Sequence, residues 1–144
     1  MMRILVATDG SPHAIGAAKW TARLVLEMRG AEVVLVNVGH IPAVALGGLG
    51  EGYVDFAALE DEMKQAGGAI LGETAKAFAG CDARVSRVYR EGDPAGEIVK
   101  AANEHNADII VMGSRGHGQI GGLILGSVSE RVLHAAHGPV LIVR

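Results

Sequence analysis

Short apolar segments rich in β-branched residues alternate along this chain with segments whose apolar residues recur at helical spacing, and that alternation restricts the fold more than any other feature. The strand-like runs are Met2 to Thr8, Glu32 to Val38, Ala83 to Tyr89, Ala107 to Met112 and Pro139 to Val143. Between them, helices are expected from about His13 to Arg29, from Asp55 to Ala79, from Pro94 to near Asn106 and from Val128 to Ala136. The first carries Ala17, Trp20, Leu24 and Met28 on one face and ends at Gly30, an expected C-cap. In the second, Gly67, Gly68 and Gly72 each weaken the helix by about 1 kcal/mol relative to alanine and mark a kink or a close packing. Asp93 and Pro94 suit the N-cap and first position of the third. Strand and helix in alternation form βαβ units, hence a parallel sheet covered on both faces. Right-handed crossovers limit five such strands to doubly wound orders. The stretch 43–52 holds four glycines, lacks a clean period and reads as a loop.

The chain has 144 residues, enough for one domain, and its 49% hydrophobic and 20% charged residues describe a globular protein. Aromatic residues make up only 3%, so the core is aliphatic and an aromatic platform for base stacking is not expected. A formal net charge of −3, with scattered Lys and Arg, argues against a nucleic-acid partner. The single cysteine, Cys81, excludes an intrachain disulfide and a cysteine zinc cluster. No apolar run approaches the ~20 residues of a membrane helix, so no membrane partner is expected and a cytoplasmic setting is the default.

After the run Ala107 to Met112 the chain becomes a spaced glycine frame: Gly113, Gly116, Gly118, Gly121, Gly122 and Gly126, with Ser127 opening the last helix. Two readings fit these residues. One is a surface loop; the other is a phosphate cradle, in which bare backbone N–H groups and the positive end of a helix approach an anion. The setting favours the cradle, since open α/β sheets bind ligands beyond the carboxyl ends of their strands. Asp9 closes the first strand, as an Asx turn or cap over Gly10-Ser11-Pro12, or as a contact to a nucleotide or its water-shelled magnesium ion. Arg115 is either a forked phosphate donor or solvated, and His117 offers charge or one hydrogen bond. Ser127 suits a helix N-cap and a hydroxyl donor to phosphate. His134 and His137 lie three apart but lack a third ligand, which favours a surface pair over a metal site.

The pattern Gly113-x2-Gly116-x9-Gly126-Ser127 resembles the nucleotide-binding signature of the universal stress protein family, in its ATP-binding branch. The opening Arg3-Ile-Leu-Val-Ala-Thr-Asp-Gly-Ser11 and the ending Gly138-Pro-Val-Leu-Ile-Val143 are similar to that family's first and last strands. The resemblance implies a doubly wound, five-stranded parallel sheet in the order 3-2-1-4-5, a Rossmann-like fold with Asp9 facing Gly113 across the crevice. It implies an adenine base held by the backbone of Val38 with Ala7, Thr8 and Asp9. Met112 and Gly113 would lie near the ribose, and Arg115, Gly116, His117, Gly126, Ser127 and Val128 near the phosphates. The implied ligand is ATP, or ADP or AMP, with Mg2+ or Mn2+ carried on the phosphates. A homodimer through the edge strand Val140, Leu141, Ile142 and Val143 is implied as well.

The function these features support is a nucleotide-binding stress or signalling module with an unidentified protein partner. Binding is better supported than catalysis, because no Walker lysine accompanies Gly126-Ser127 and no water-positioning residue stands out. The alternatives are a scaffold acting through protein contacts without nucleotide, and a nucleotidyl transferase or ATP hydrolase of similar fold. A flavin or nicotinamide binder would need a Gly-x-Gly-x-x-Gly after the first strand, where Asp9-Gly-Ser-Pro stands.

Overall fold

The computed structural model describes residues 1–41, 55–116 and 125–144. Within them one parallel sheet forms from β1 (Met2–Ala7), β2 (Ala31–Gly39), β3 (Ala83–Glu91), β4 (Ile109–Gly113) and β5 (Val140–Val143). The strand order is β3-β2-β1-β4-β5, the doubly wound arrangement expected. Helices α1 (Pro12–Leu26), α2 (Phe56–Ala75), α3 (Pro94–Glu104) and α4 (Ser127–Ala135) connect the strands, with a 3₁₀ turn at Lys76–Phe78 after α2. The expected loop at 43–52 and His117 lie outside the described residues.

β1 explains why the apolar runs are continuous. Ile4 and Val6 pack on one face with Ala17, Ala18, Ala22 and Val25 of α1 and Leu71 of α2. Leu5 and Ala7 pack on the other with Ala95, Ile98, Ala101 and Ala102 of α3 and Val132 of α4. A strand covered on both sides needs no polar alternation. Alanines at the helix contacts let α1 and α3 approach the sheet closely. β3 lies at an edge and mixes half-buried and exposed positions, as suits a strand with polar residues among its apolar ones.

Helix starts follow their capping residues. Ser11 Oγ accepts from Ala14 N at 3.3 Å with Pro12 at the first position, and Asp93 Oδ2 accepts from Gly96 N at 2.9 Å ahead of Pro94. Helix ends are less obvious. α1 stops at Leu26 with Glu27 as its C-cap, so Gly30 is not the cap; at φ +74° it makes the turn into β2. α2 runs through its three glycines unbroken, and of these Gly67 is the buried one.

Candidate functional site

A cavity of about 680 Å³ opens beyond the carboxyl ends of β1, β2 and β4, within the range usual for small-molecule sites. It stands where the winding of the sheet reverses between β1 and β4, as the strand order requires.

The β2 wall is made by a mismatch in strand length. β1 pairs with β2 as far as Ala7 opposite Val36, and Thr8 N still donates to Val36 O at 2.9 Å. The next ladder bond would use Thr8 O, but Asn37 Nδ2 donates to that carbonyl instead, at 2.8 Å. β2 continues through Val38 and Gly39, paired to β3 alone. Peptide groups in a parallel ladder face alternate sides, so those of Val38 face the side on which β1 has ended. Around them, Ala7, Val36, Val38, Pro94, Ile98, Met112 and Val128 make an aliphatic slot.

The opposite end is polar. Asp9 Oδ1 accepts from Ser11 N at 2.9 Å, an Asx turn that holds the carboxylate at the mouth of the cavity it lines, while Gly10 takes φ +78°. Turn and cavity wall are therefore one arrangement. The N-cap of α1 is Ser11 rather than Asp9. Gly116 stands directly against Asp9 Oδ2, where a Cβ would collide. A Cβ at Gly113 would instead stand 2.6 Å from the carbonyl carbon of His13 and 2.9 Å from Ala14 N. The glycine facing Asp9 is thus Gly116, and Gly113 lets the first turn of α1 close onto β4. Arg115 lines the cavity, and its Nε is buried with no hydrogen-bond partner among the described residues.

α4 enters from the far side. Gly126 N donates to Ser114 O and Ser129 Oγ to Gly113 O at 2.9 Å, tying the start of α4 to the end of β4, which Ser114 N joins to β5 by donating to Val143 O at 2.9 Å. Ser127 is not the N-cap. Gly126 occupies that position with φ −71° and ψ 158°, because its carbonyl already accepts from Glu130 N at 2.9 Å. Ser127 is exposed, outside the cavity lining, and Val128 lines it.

The structure thus gathers Ala7, Thr8, Asp9, Val38, Met112, Gly113, Arg115, Gly116, Gly126 and Val128 around one cavity. It adds Ala14, Val36, Asn37, His40, Pro94, Ile98 and Ser129, none of which the sequence singled out as site residues. The start signal Asp93-Pro94 was legible, but nothing in it says that α3 flanks the end of β2. His137 lies beyond the end of α4, and no group of three or more His, Cys, Asp or Glu side chains among the described residues is placed to hold a metal ion. No helix of the described residues is long and apolar enough to cross a membrane.

Known proteins share this fold. The solved structure of the protein MJ0577 superposes with a TM-score of 0.85 at 28% identity, covering 99% of this chain and 94% of that one. A universal stress protein solved in complex with cAMP superposes with a TM-score of 0.67 at 25% identity, covering 99% and 96%. Universal stress protein MJ0531 of Methanocaldococcus jannaschii is 34% identical over 143 residues, 99% of this chain and 81% of the relative. The family model for universal stress proteins matches residues 1–144 from end to end. By sequence and by fold alike, the chain belongs to the universal stress protein family.

Proposed function

We propose that the cavity binds an adenine nucleotide, the base in the aliphatic slot beside Val38 and the phosphates beside Arg115, Gly116 and Gly126. The observation that carries this reading is the chemical division of the cavity. One end is apolar with main-chain groups at the strand overhang; the other offers the N-terminus of α4 and a buried guanidinium N–H in want of an acceptor. A phosphate supplies that acceptor, and a planar base fills a slot lined by aliphatic side chains. The relative solved with cAMP supports the same ligand class.

Ala7, Thr8 and Asp9 flank the base and ribose in this reading, and Met112 and Gly113 the ribose. His117 is assigned to the phosphates by the family resemblance alone, Ser127 reaches them only through its main-chain N–H at the start of α4, and Val128 borders them from the wall of the slot. Asp9 is the one carboxylate among the described lining residues, so Mg2+ or Mn2+ fits as an ion carried on the phosphates with Asp9 reached through its water shell. The protein then acts as a cytoplasmic stress or signalling module whose loaded state is read by a partner, with turnover below about one ATP per second, slower than dedicated enzymes.

Calorimetric titration of ATP with magnesium into nucleotide-stripped protein tests the reading, beside Gly116→Val, which thrusts a side chain at Asp9. Micromolar binding by the parent, lost in a variant of verified fold, is expected. Absence of binding by the parent refutes the reading and favours a scaffold that works through protein contacts.

A further inference from the structure

We infer that Arg131 and Asp93 are positioning residues for the ligand of this cavity: their bidentate pair, joining the N-cap of α3 to a residue one turn into α4, helps set the gap between two of its walls. The inference rests on the nucleotide reading above and adds residues that do not line the cavity. Pro94 and Ile98 of α3 form one wall; Gly126, Val128 and Ser129 at the start of α4 form another. Asp93 immediately precedes Pro94, and Arg131 follows Val128 by three residues, one turn along the same side of α4.

The pair has the geometry to fix a direction as well as a distance. Arg131 Nη1 donates to Asp93 Oδ1 and Nη2 to Oδ2, both at 2.8 Å. A two-point, planar contact resists rotation, which a single ammonium contact does not. Asp93 is itself held, since Oδ2 also caps α3 through Gly96 N at 2.9 Å. On its other side α3 is fastened to β3, where Arg90 Nε donates to Glu97 at 2.7 Å and Nη1 to Glu104 at 2.6 Å. With α3 anchored there and the start of α4 tied to β4 through Gly126 and Ser129, the Arg131 contact joins the two helices directly beside the cavity, and its loss loosens their spacing without detaching either.

Both side chains are about half exposed, 57% for Arg131 and 49% for Asp93. A pair so exposed contributes little to global stability. Its removal therefore alters the gap without unfolding the domain.

The test compares the parent, Arg131→Gln and Arg131→Lys by calorimetric titration with ATP and with GTP, each with magnesium, alongside thermal melts without ligand. The glutamine variant is expected to bind ATP roughly two- to fivefold more weakly, the most that loss of so exposed a pair can cost. It is also expected to discriminate less between adenine and guanine, because a slackened slot admits either base, while its melting temperature falls by no more than about 3 °C. Lysine, which keeps the charge but not the fork, recovers part of the loss. Unchanged affinity and unchanged base preference in Arg131→Gln overturn the positioning role alone, as does an equal loss for both nucleotides with a collapsed melting temperature. Failure of the parent to bind either nucleotide overturns the nucleotide reading and this inference with it.

Discussion

Gly67 and Gly68 are neighbours in α2, and replacing either with alanine brings the same gain in helix propensity, about 1 kcal/mol. Their surroundings give opposite outcomes. An alanine Cβ at position 68 meets nothing within 4 Å, so Gly68→Ala is expected to stabilise the fold by about 0.5–1 kcal/mol. At position 67 the new Cβ collides with the Tyr89 ring and stands 2.8 Å from Asn37 Oδ1. Moving the ring away would disturb its other contacts, because its hydroxyl occupies the space left by the missing side chain of Gly39, beside Met63, and donates to Glu91 Oε1 at 3.3 Å. Overpacking of this kind costs about 1–3 kcal/mol, and disturbing the Asn37 bond to Thr8 O adds about 1 kcal/mol. Gly67→Ala should therefore be destabilised by about 1–3 kcal/mol net, leaving the two variants about 1.5–4 kcal/mol apart. Urea unfolding measures this directly, and thermal melts should separate them by roughly 3–16 °C for a domain of this size. In a Tyr89→Leu background most of the Gly67→Ala penalty should vanish while Gly68→Ala is unaffected. Equal stability of the two alanine variants in the parent background would refute the argument.

Gly113→Ala places a Cβ against the His13 and Ala14 backbone, which cannot rotate away, and should destabilise by at least about 2 kcal/mol in urea melts while weakening any ligand seated between β1 and β4. Asp93 is held below its usual carboxylate range, first by the Arg131 hydrogen bonds and then by the Gly96 amide. A depressed carboxylate contributes above its unfolded pKa of about 3.9 and loses that contribution as pH falls through the lower folded value, so the difference in melting temperature between parent and Asp93→Asn should shrink below about pH 4. Pairing of two copies along β5, which the family resemblance implies, would use the amide of Ile142, because Pro139 and Val143 turn their carbonyls to β4 and alternation turns Ile142 outward. Ile142→Pro deletes that donor at an edge where proline is tolerated, and should give monomers in light scattering; an unchanged dimer places the contact elsewhere.

How far the sequence discloses this molecule depends on whether a residue answers to its neighbours in the chain or to distant ones. β1, β2 and β4 are legible because strands covered on both faces must be continuously apolar. Asp93-Pro94 is legible because capping is local. Ser127 misleads for the same reason: serine beside a helix start suggests a cap, but the backbone had already begun the helix at Gly126. The strand order carries no local signal and came with the family resemblance. Asn37 looks like a stray polar residue in an apolar strand, and only the pairing of β2 with β1 shows that its amide ends their ladder. His40, Ile98 and Ser129 converge on the cavity from three elements, and no spacing within any one of them marks the convergence.

The overhang of β2 beyond β1 has a consequence for how this protein can be probed. The groups that Val38 offers at the mouth of the slot belong to its peptide units, and every residue except proline supplies the same pair. Alanine scanning would thin the wall at this position and leave those groups in place, so a mild phenotype for Val38→Ala says nothing about what the main chain contributes. The informative change is one that erases the peptide group itself: a backbone ester in place of the Val38 amide.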